Sequence, residues 1–589
     1  MTNQEIAELL RQVAASFIIK DEKKHHFQIV AYQRAADAIS SSTSQVADLV
    51  RENKLSEIPG VGTSIQQHLT ELVKTGKVKH FELVMRDIPQ AIFPLLSVPS
   101  IGPKKAYKLV STFHLKNPST VISEIEALAQ KGEIAKLEGF GEKSQSDILR
   151  AFGEYKKGAG KTTRMLLPFA TEIAEKLVAY LKENKAVLDA QFLGSLRRKS
   201  PTVGDVDIAV STKDPEEVIR HFVAYPYKDR VIEKGPTTAS ILTSGGHQVD
   251  LMTQPADCWG SLLQHFTGSK HHNVHLRDFA LKKGLSLSEY GIKHLKSNST
   301  EREKYVSEEK FYNAIGLDWV PPELREDTGE IEAATFHKLP KLVEEKDIKG
   351  DLHIHSNYPI EPSHDMGTTS MEDLLKIAKE LGYEYLGFSE HNPSVSKHTP
   401  AQALSILKKR AEKIEQLNES KKYVRVINLL ETDILPSGEL ATDEKGLETL
   451  DATLVSIHSS FGMDTKRMTE RVLKGLSHPK AKILSHPTGR LINERAGYNL
   501  DWDKIFDFCI KNNKALEINA WPERTDLPDS LIKEGLRSGV KFVIDTDSHA
   551  GIHMKLMRYG VWNARRGWAQ KSDILNTLGY NEFIKWLRE

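Results

Sequence analysis

The 589-residue sequence has only two cysteines, Cys258 and Cys509, far apart. That excludes a disulfide framework and any cysteine-rich zinc module, and a reducing, cytoplasmic setting is the expectation. No apolar run is long enough to span a bilayer. The opening MTNQEIAELLRQVAASFII lacks the basic stretch and cleavage site of a signal peptide. Instead, Ile6, Leu9, Leu10, Val13 and Phe17 recur at helical spacing. Net charge is almost absent at +1, but it is unevenly spread: residues 1–300 hold 40 Lys+Arg against 33 Asp+Glu, and the rest 41 against 47. The asymmetry favours a polyanionic partner for the first half; ordinary surface variation is the bland alternative.

What is present divides the chain. The first 155 residues read as helices broken by three similar turns: IPGVG (58–62), VPSIG (98–102) and LEGFG (137–141). Each turn ends in glycine and feeds an amphipathic stretch. A glycine turn at a helix start presents unpaired N–H groups and the positive dipole end, which suits a phosphate. One such turn is weak evidence; three in series predict helix-hairpin-helix units that grip a DNA backbone without reading sequence. Gly60, Gly62, Gly102, Gly139 and Gly141 are the expected DNA-binding glycines. KKGAGKTTR (156–164) misses the spacing of a phosphate-binding P-loop and has no strand before it, so it reads as a linker.

From 165 to 320 the pattern is mixed, with strands expected at DAQFLGSLRR, DVDIAVS, TASILTS and HQVDLMT. In GDVDIAV (204–210), Asp205 and Asp207 fall on one strand face, and Asp250 in HQVDLM is expected on a neighbouring strand. Three carboxylates brought together need cations between them, which implies Mg²⁺ or Mn²⁺. Two such ions about 4 Å apart support phosphoryl transfer. GSLRR (194–198) adds a turn and two arginines suited to a triphosphate. Alone, GDVD could equally be a strand-edge turn with solvated acids.

GSLRR, GDVDI, VDL and HFTGSKHHNVHLR, in this order, resemble the palm and thumb of a family X DNA polymerase, the polymerase beta group. The resemblance implies addition of a nucleoside monophosphate to a primer 3′-OH, with Asp205, Asp207 and Asp250 as metal carboxylates. It places Ser195, Arg198 and Gly204 on the triphosphate, Phe266, Thr267 and Gly268 at the sugar-discriminating turn, and Asn273 and Arg277 near the incoming base or template. Lys270 stands where polymerase beta has an aspartate. The family's lyase needs a lysine amine for a Schiff base. Here that position is His68, and another family lysine reads Gln28, so DNA binding without efficient lyase activity is expected; Lys74 is the conceivable substitute nucleophile.

After a charge-rich stretch at 329–349, expected as a linker, helices alternate with short apolar strands, the rhythm of βα units. GDLHIHS supplies His353 and His355; His391, Glu431, His458, His486, Asp547 and His549 each close a strand or open the loop after it. Side chains at the C-terminal ends of barrel strands converge on one mouth. Imidazoles with carboxylates suit Mn²⁺, Zn²⁺ or Fe²⁺ better than Mg²⁺. His364, His398, His478 and His553 lack that placement and are set aside.

With HPTGR, LEINA, DTDSHA and YGVWNARRGW, this half resembles the PHP (polymerase and histidinol phosphatase) domain. That implies a distorted (β/α)7 barrel, two or three metal ions and phosphoester hydrolysis. Joined to a family X polymerase, it implies a 3′→5′ exonuclease, with abasic-site or 3′-end cleaning activity as variants. The family's S-D-G turn is lengthened to NYPIEPSHDMGTTS, where Asp365 is the first choice of ligand and Glu361 the second. Glu390 and Ser437 stand where aspartates are usual.

The resulting expectation is a multidomain chain. An all-α helix-hairpin-helix region comprises 1–85 and 86–160; an α+β nucleotidyltransferase palm spans 161–258 and a thumb 259–328; the linker leads to an α/β PHP barrel at 350–589. The expected function is short-gap filling in DNA repair, with gapped or nicked DNA and deoxynucleoside triphosphates as partners, no membrane, and a monomer. Two rivals are an end-binding protein with a vestigial palm and a small-molecule phosphatase. The three retained carboxylates oppose the first, and the polymerase half opposes the second.

Overall fold

The computed structural model describes residues 1, 3–40, 46–51, 55, 61–98, 101–154, 164–243, 247–296 and 301–589. The linker expectation at 156–164 falls almost wholly outside them, as does Gly60. The chain divides into two compact units: Met1–Met165 with Phe169–Leu177 and Ile219–Leu251, and Leu166–Pro168 with Val178–Val218 and Met252–Glu589.

The first unit begins with helices Asn3–Asp21 and His26–Ser40, followed by Val46–Arg51, Thr63–Thr75 and Lys79–Met85. Ile6, Leu10, Val13 and Phe17 are buried together with Tyr32, Leu69 and Phe81, and Leu9 packs at the edge, as the spacing predicts. A second helical core gathers Leu109, Val110, Ile125 and Phe152 from helices Pro103–Thr112, Val121–Gln130 and Glu142–Glu154. Gly62 and Gly102 are the extended N-caps of the helices they precede, and Gly139 takes φ +78° two residues before Gly141. Strands Lys228–Lys234 and Thr238–Thr243 pair antiparallel in this unit.

In the second unit, strands Val187–Phe192 and Val206–Thr212 pair antiparallel. GSLRR does not continue the first strand as expected; Gly194 turns at φ +57° and Gly194–Arg197 form one helical turn. Helices Trp259–Thr267 and Lys270–Lys282 follow. The second joins a core of Leu276, Phe311, Tyr312, Leu324, Ile331 and Ala334. The stretch expected as a linker is therefore packed: helix Glu330–Thr335 buries Ile331 and Ala334, and Leu342 and Val343 are buried beyond it. Charge dominates its composition, but a few apolar residues at helical spacing suffice to dock it.

From 350 onward the strands are parallel. Gly350–Ile354, Tyr385–Phe388 and Arg425–Asn428 form one series, and Glu431–Asp433, Thr453–Ser456, Ala481–Leu484, Ala515–Asn519 and Lys541–Asp545 form another. Only Leu429 and Leu430 separate Arg425–Asn428 from Glu431–Asp433, so the second series follows directly on the first. A parallel bridge joins His391 to Glu431, and another joins Ile354 to Ser548, bringing the ends of the series together. His355 N donates to Ser548 O at 2.8 Å, and Ser548 N to His353 O at 3.1 Å. Buried on both faces, these strands read as nearly continuous apolar runs. Four of the intervening helices start at side-chain caps in which Ser370, Thr399, Asp464 and Asp501 each accept from a first-turn backbone N–H.

Candidate functional site

The strand ends collect the histidines. His353 lies on Gly350–Ile354 and His355 just past it; His458 and His486 each stand two residues beyond a strand, as does Asp547. Glu431 is the hub. Its Oε2 lies 3.1 Å from His353 Nε2 and 3.0 Å from His391 Nδ1, and its Oε1 2.9 Å from His486 Nε2. Both His355 and His458 approach it at 3.5 Å. Asp547 Oδ1 lies 3.5 Å from His353 Nε2 and 3.4 Å from His355 Nε2.

The lengthened loop returns to this mouth. Gly367 presses against His355 O, where a Cβ would come within 1.9 Å. This close approach aims Asp365 inward: its oxygens lie 3.1 Å from His391 Nε2 and 3.3 Å from His549 Nε2. Glu361 turns away to His398, at 3.1 Å. Glu390 faces elsewhere too, accepting from Ser356 N at 3.2 Å and from Arg410 Nε at 2.8 Å. Ser437 sits on an exposed turn.

Around the donors lies a second layer that the sequence reading did not single out. Glu517 Oε1 accepts from His353 Nδ1 at 2.6 Å, and its Oε2 from His486 N at 2.5 Å. Asp433 Oδ1 accepts from His458 Nδ1 at 2.6 Å, and Asp433 also meets His364 Nε2 at 3.0 Å. His364, set aside earlier, thus belongs to the rim of the cluster. Arg524 Nε lies 3.3 Å from Asp547 Oδ2.

The electrostatics are those of a cation site. Burial disfavours charge on His353, yet Glu517, Asp547 and Glu431 hold its pKa well above the usual imidazole value. Against its own burial, Glu431 is held well below the carboxylate range by His391, His353 and His458. Burial lowers His355 well below its ordinary value, reinforced by His549 and His391, and takes His458 to about 4. His353 Nε2, both nitrogens of His355, His391 Nδ1, His549 Nε2 and Glu431 Oε2 are buried without a hydrogen-bond partner among the described residues. Such atoms are costly unless something binds them. Among the described residues, five overlapping triads bring their donor atoms within 4.8 Å of one another: His355/His391/His549, His353/His486/Asp547, His353/His355/Glu431, His391/Glu431/His458 and His364/Asp433/His458. The donor set fits divalent cations.

The carboxylate region differs. Asp205 is exposed at the start of Val206–Thr212, with Gly204 half-buried before it; Asp207 is half-buried on the strand. Gly194 has no side chain where a Cβ would stand 3.1 Å from Asp207 Oδ2. Asp250 accepts from Ser240 Oγ and from Gln248 Nε2 at 3.0 Å. Ser195 stands half-buried in the GSLR turn. The two arginines beyond it part company. Arg197 is held by buried Glu308 at 2.7 Å, while Arg198 donates to Thr267 O at 2.6 Å and to Glu326 at 3.0 Å. Phe266 is exposed and Gly268 takes φ +71°. Asn273 donates to His265 O at 2.7 Å, and Arg277 reaches His265 at 3.4 Å.

Comparison with known families matches four segments. Residues 1–78 match a helix-hairpin-helix domain and 93–154 a SAM-like helix-hairpin-helix tandem. Residues 262–326 match the DNA polymerase beta thumb, and 351–520 the PHP domain. Fold and matches together define a polymerase of the beta group carrying a PHP domain. Among curated proteins, the DNA polymerase/3′-5′ exonuclease PolX of Bacillus subtilis (strain 168) is 31% identical over the full length of both chains. DNA polymerase lambda of Arabidopsis thaliana is 23% identical over 55% of this chain and 62% of its own, and that of Rattus norvegicus 23% over 49% of each. The chain belongs to the bacterial PolX family of family X DNA polymerases with a PHP domain.

Proposed function

We propose that this chain fills short gaps in DNA, adding nucleotides at the palm carboxylates and removing them 3′→5′ at the histidine cluster. It is a DNA polymerase and exonuclease that depends on divalent metal and acts on DNA and nucleotides. Asp205, Asp207 and Asp250 would hold Mg²⁺ or Mn²⁺ in the palm. Ser195, Arg198 and Gly204 would meet the triphosphate, Phe266, Thr267 and Gly268 the sugar, and Asn273 and Arg277 the base or template. His353, His355, Asp365, His391, Glu431, His458, His486, Asp547 and His549 would hold two or three ions, Mn²⁺, Zn²⁺ or Fe²⁺ by donor type. Bound there, the metals supply Lewis acidity and a water activated for attack on phosphorus. The protein's own part is orientation: Glu517 fixes the His353 tautomer and Asp433 that of His458. Gly62, Gly102, Gly139 and Gly141 would meet DNA phosphates, and Gly60, outside the described residues, rests on its motif alone. The domain limits expected from the sequence, a monomer and a cytoplasmic location complete the proposal.

The observation that carries it is the ring of buried imidazole and carboxylate atoms that face one another without hydrogen bonds, in a chain that also retains the palm motifs. The test is a one-nucleotide-gapped duplex with a labelled, mismatched primer 3′ end, incubated with Mn²⁺ and no nucleotide. Shortening by the wild type but not by His353→Ala/His355→Ala is expected. Shortening by both would move the nuclease away from the cluster.

A further inference from the structure

The last long helix of the barrel half, Met557–Arg566, touches the GSLRR turn. Arg566 is 7% exposed there. Its Nη1 donates to Arg198 O and to Glu326 Oε1, both at 2.8 Å, and its Nη2 lies 2.7 Å from Asp529 Oδ2. Arg198 Nε donates to the same Glu326 oxygen at 3.0 Å. One turn back on the helix, Trp562 presents its ring to Lys199 Nζ, 3.7 Å from the centroid. Residues 562 and 566 share a helix face, so one face of a PHP helix holds two successive residues of a polymerase turn.

We propose that Arg566 is a positioning residue for nucleotide binding, acting through Glu326 and Arg198. This rests on reading Arg198 as a triphosphate contact. Glu326 Oε1 is shared by two guanidinium groups. While Arg566 neutralises part of that charge, Arg198 keeps a positive field for a triphosphate. Without Arg566, Glu326 is left to Arg198 alone and competes with the incoming phosphates, and the main chain of the turn loses a donor. The barrel half then tunes nucleotide affinity in the polymerase half without touching nucleotide.

The test measures single-nucleotide gap filling by the full chain carrying Arg566→Ala, Arg566→Lys, Arg566→Ala/Glu326→Gln or Arg198→Ala. Arg566→Ala is expected to raise KM for the nucleotide about 10-fold with kcat within about twofold. Lysine should restore part of the loss. Glu326→Gln in the alanine background should bring KM back towards wild type, which a packing role would not do. Exonuclease activity reports that the barrel remains folded. If Arg566→Ala does not fold, Arg566→Lys and Arg566→Lys/Glu326→Gln carry the same comparison. An unchanged KM in Arg566→Ala with a raised KM in Arg198→Ala overturns the coupling and leaves the triphosphate reading standing. An unchanged KM in Arg198→Ala overturns both. A fall in kcat that Glu326→Gln does not rescue reduces Arg566 to interface packing and overturns the proposal.

Discussion

The two regions proposed to carry catalysis are built on opposite terms. In the C-terminal half, nine candidate donors meet, six of them buried, and the His353 and His458 rings are each held by a further carboxylate. In the proposed palm, Asp205 is exposed and Asp207 half-buried, and a Cβ on Gly194 would stand 3.1 Å from Asp207 Oδ2. A buried cluster of this kind would hold ions in fixed geometry, whereas exposed acids would leave room for ions that arrive with substrate. A nuclease that must act on any 3′ end and a polymerase that must admit a new nucleotide each turn fit these two designs.

The most forceful way to break this contrast is at the hub. Glu431→Ala removes the carboxylate facing five histidines. Exonuclease activity should fall about 10³-fold or more, and elemental analysis should find less metal in the purified chain. Gap filling serves as the control for folding. Retained metal with lost activity would mean that Glu431 acts on substrate and not as a hub ligand.

A second test probes what stands behind the open palm. Glu308 is buried between Arg197 and Arg325, at 2.7 and 2.6 Å. Burial raises its pKa, but the two arginines win and hold it at about 2, from an ordinary 4.5. The stability it contributes is therefore full above about 4.5 and lost as pH falls towards 2, worth on the order of 3 kcal/mol. The gap in urea stability between wild type and Glu308→Gln should shrink as pH drops below 4.5. A gap independent of pH would show that the pair is not a charged anchor.

Glu517→Gln comes next. It keeps shape but weakens the acceptor for His353 Nδ1. Metal affinity, read by titration of the apoprotein, should fall roughly 10- to 100-fold.

Glu517 also marks where the sequence stopped speaking. The histidines were legible because each follows an apolar strand, so strand and ligand announce each other. Glu517 sits inside such a strand, in ALEIN, and its signal was only that a lone acid in a buried run needs a partner. Asp433 and His364 meet across a loop whose path no periodicity encodes. The helix-hairpin-helix turns were readable from glycine and following helix alone. The packing of 329–349 was hidden by charge, because composition averages over the few apolar residues that dock it. Arg197 and Arg198 look alike in GSLRR, and only the structure shows that the first is held by buried Glu308 and the second by Glu326.

The smallest expected effect sharpens the contrast best. Gly194 takes φ +57°, and a Cβ there would meet Asp207 Oδ2 at 3.1 Å. In Gly194→Ala the left-handed backbone costs about 1 kcal/mol, too little to unfold the chain. The methyl group also pushes on the Asp207 carboxylate by a few tenths of an ångström. At Asp207 the displacement would shift the proposed metal position. Gap filling should fall roughly 10-fold, since small misplacements of reacting groups are costly, while the exonuclease keeps its rate. Equal losses in both activities would instead mean a general loosening of the second unit, and the open palm would be no more sensitive to room than the barrel.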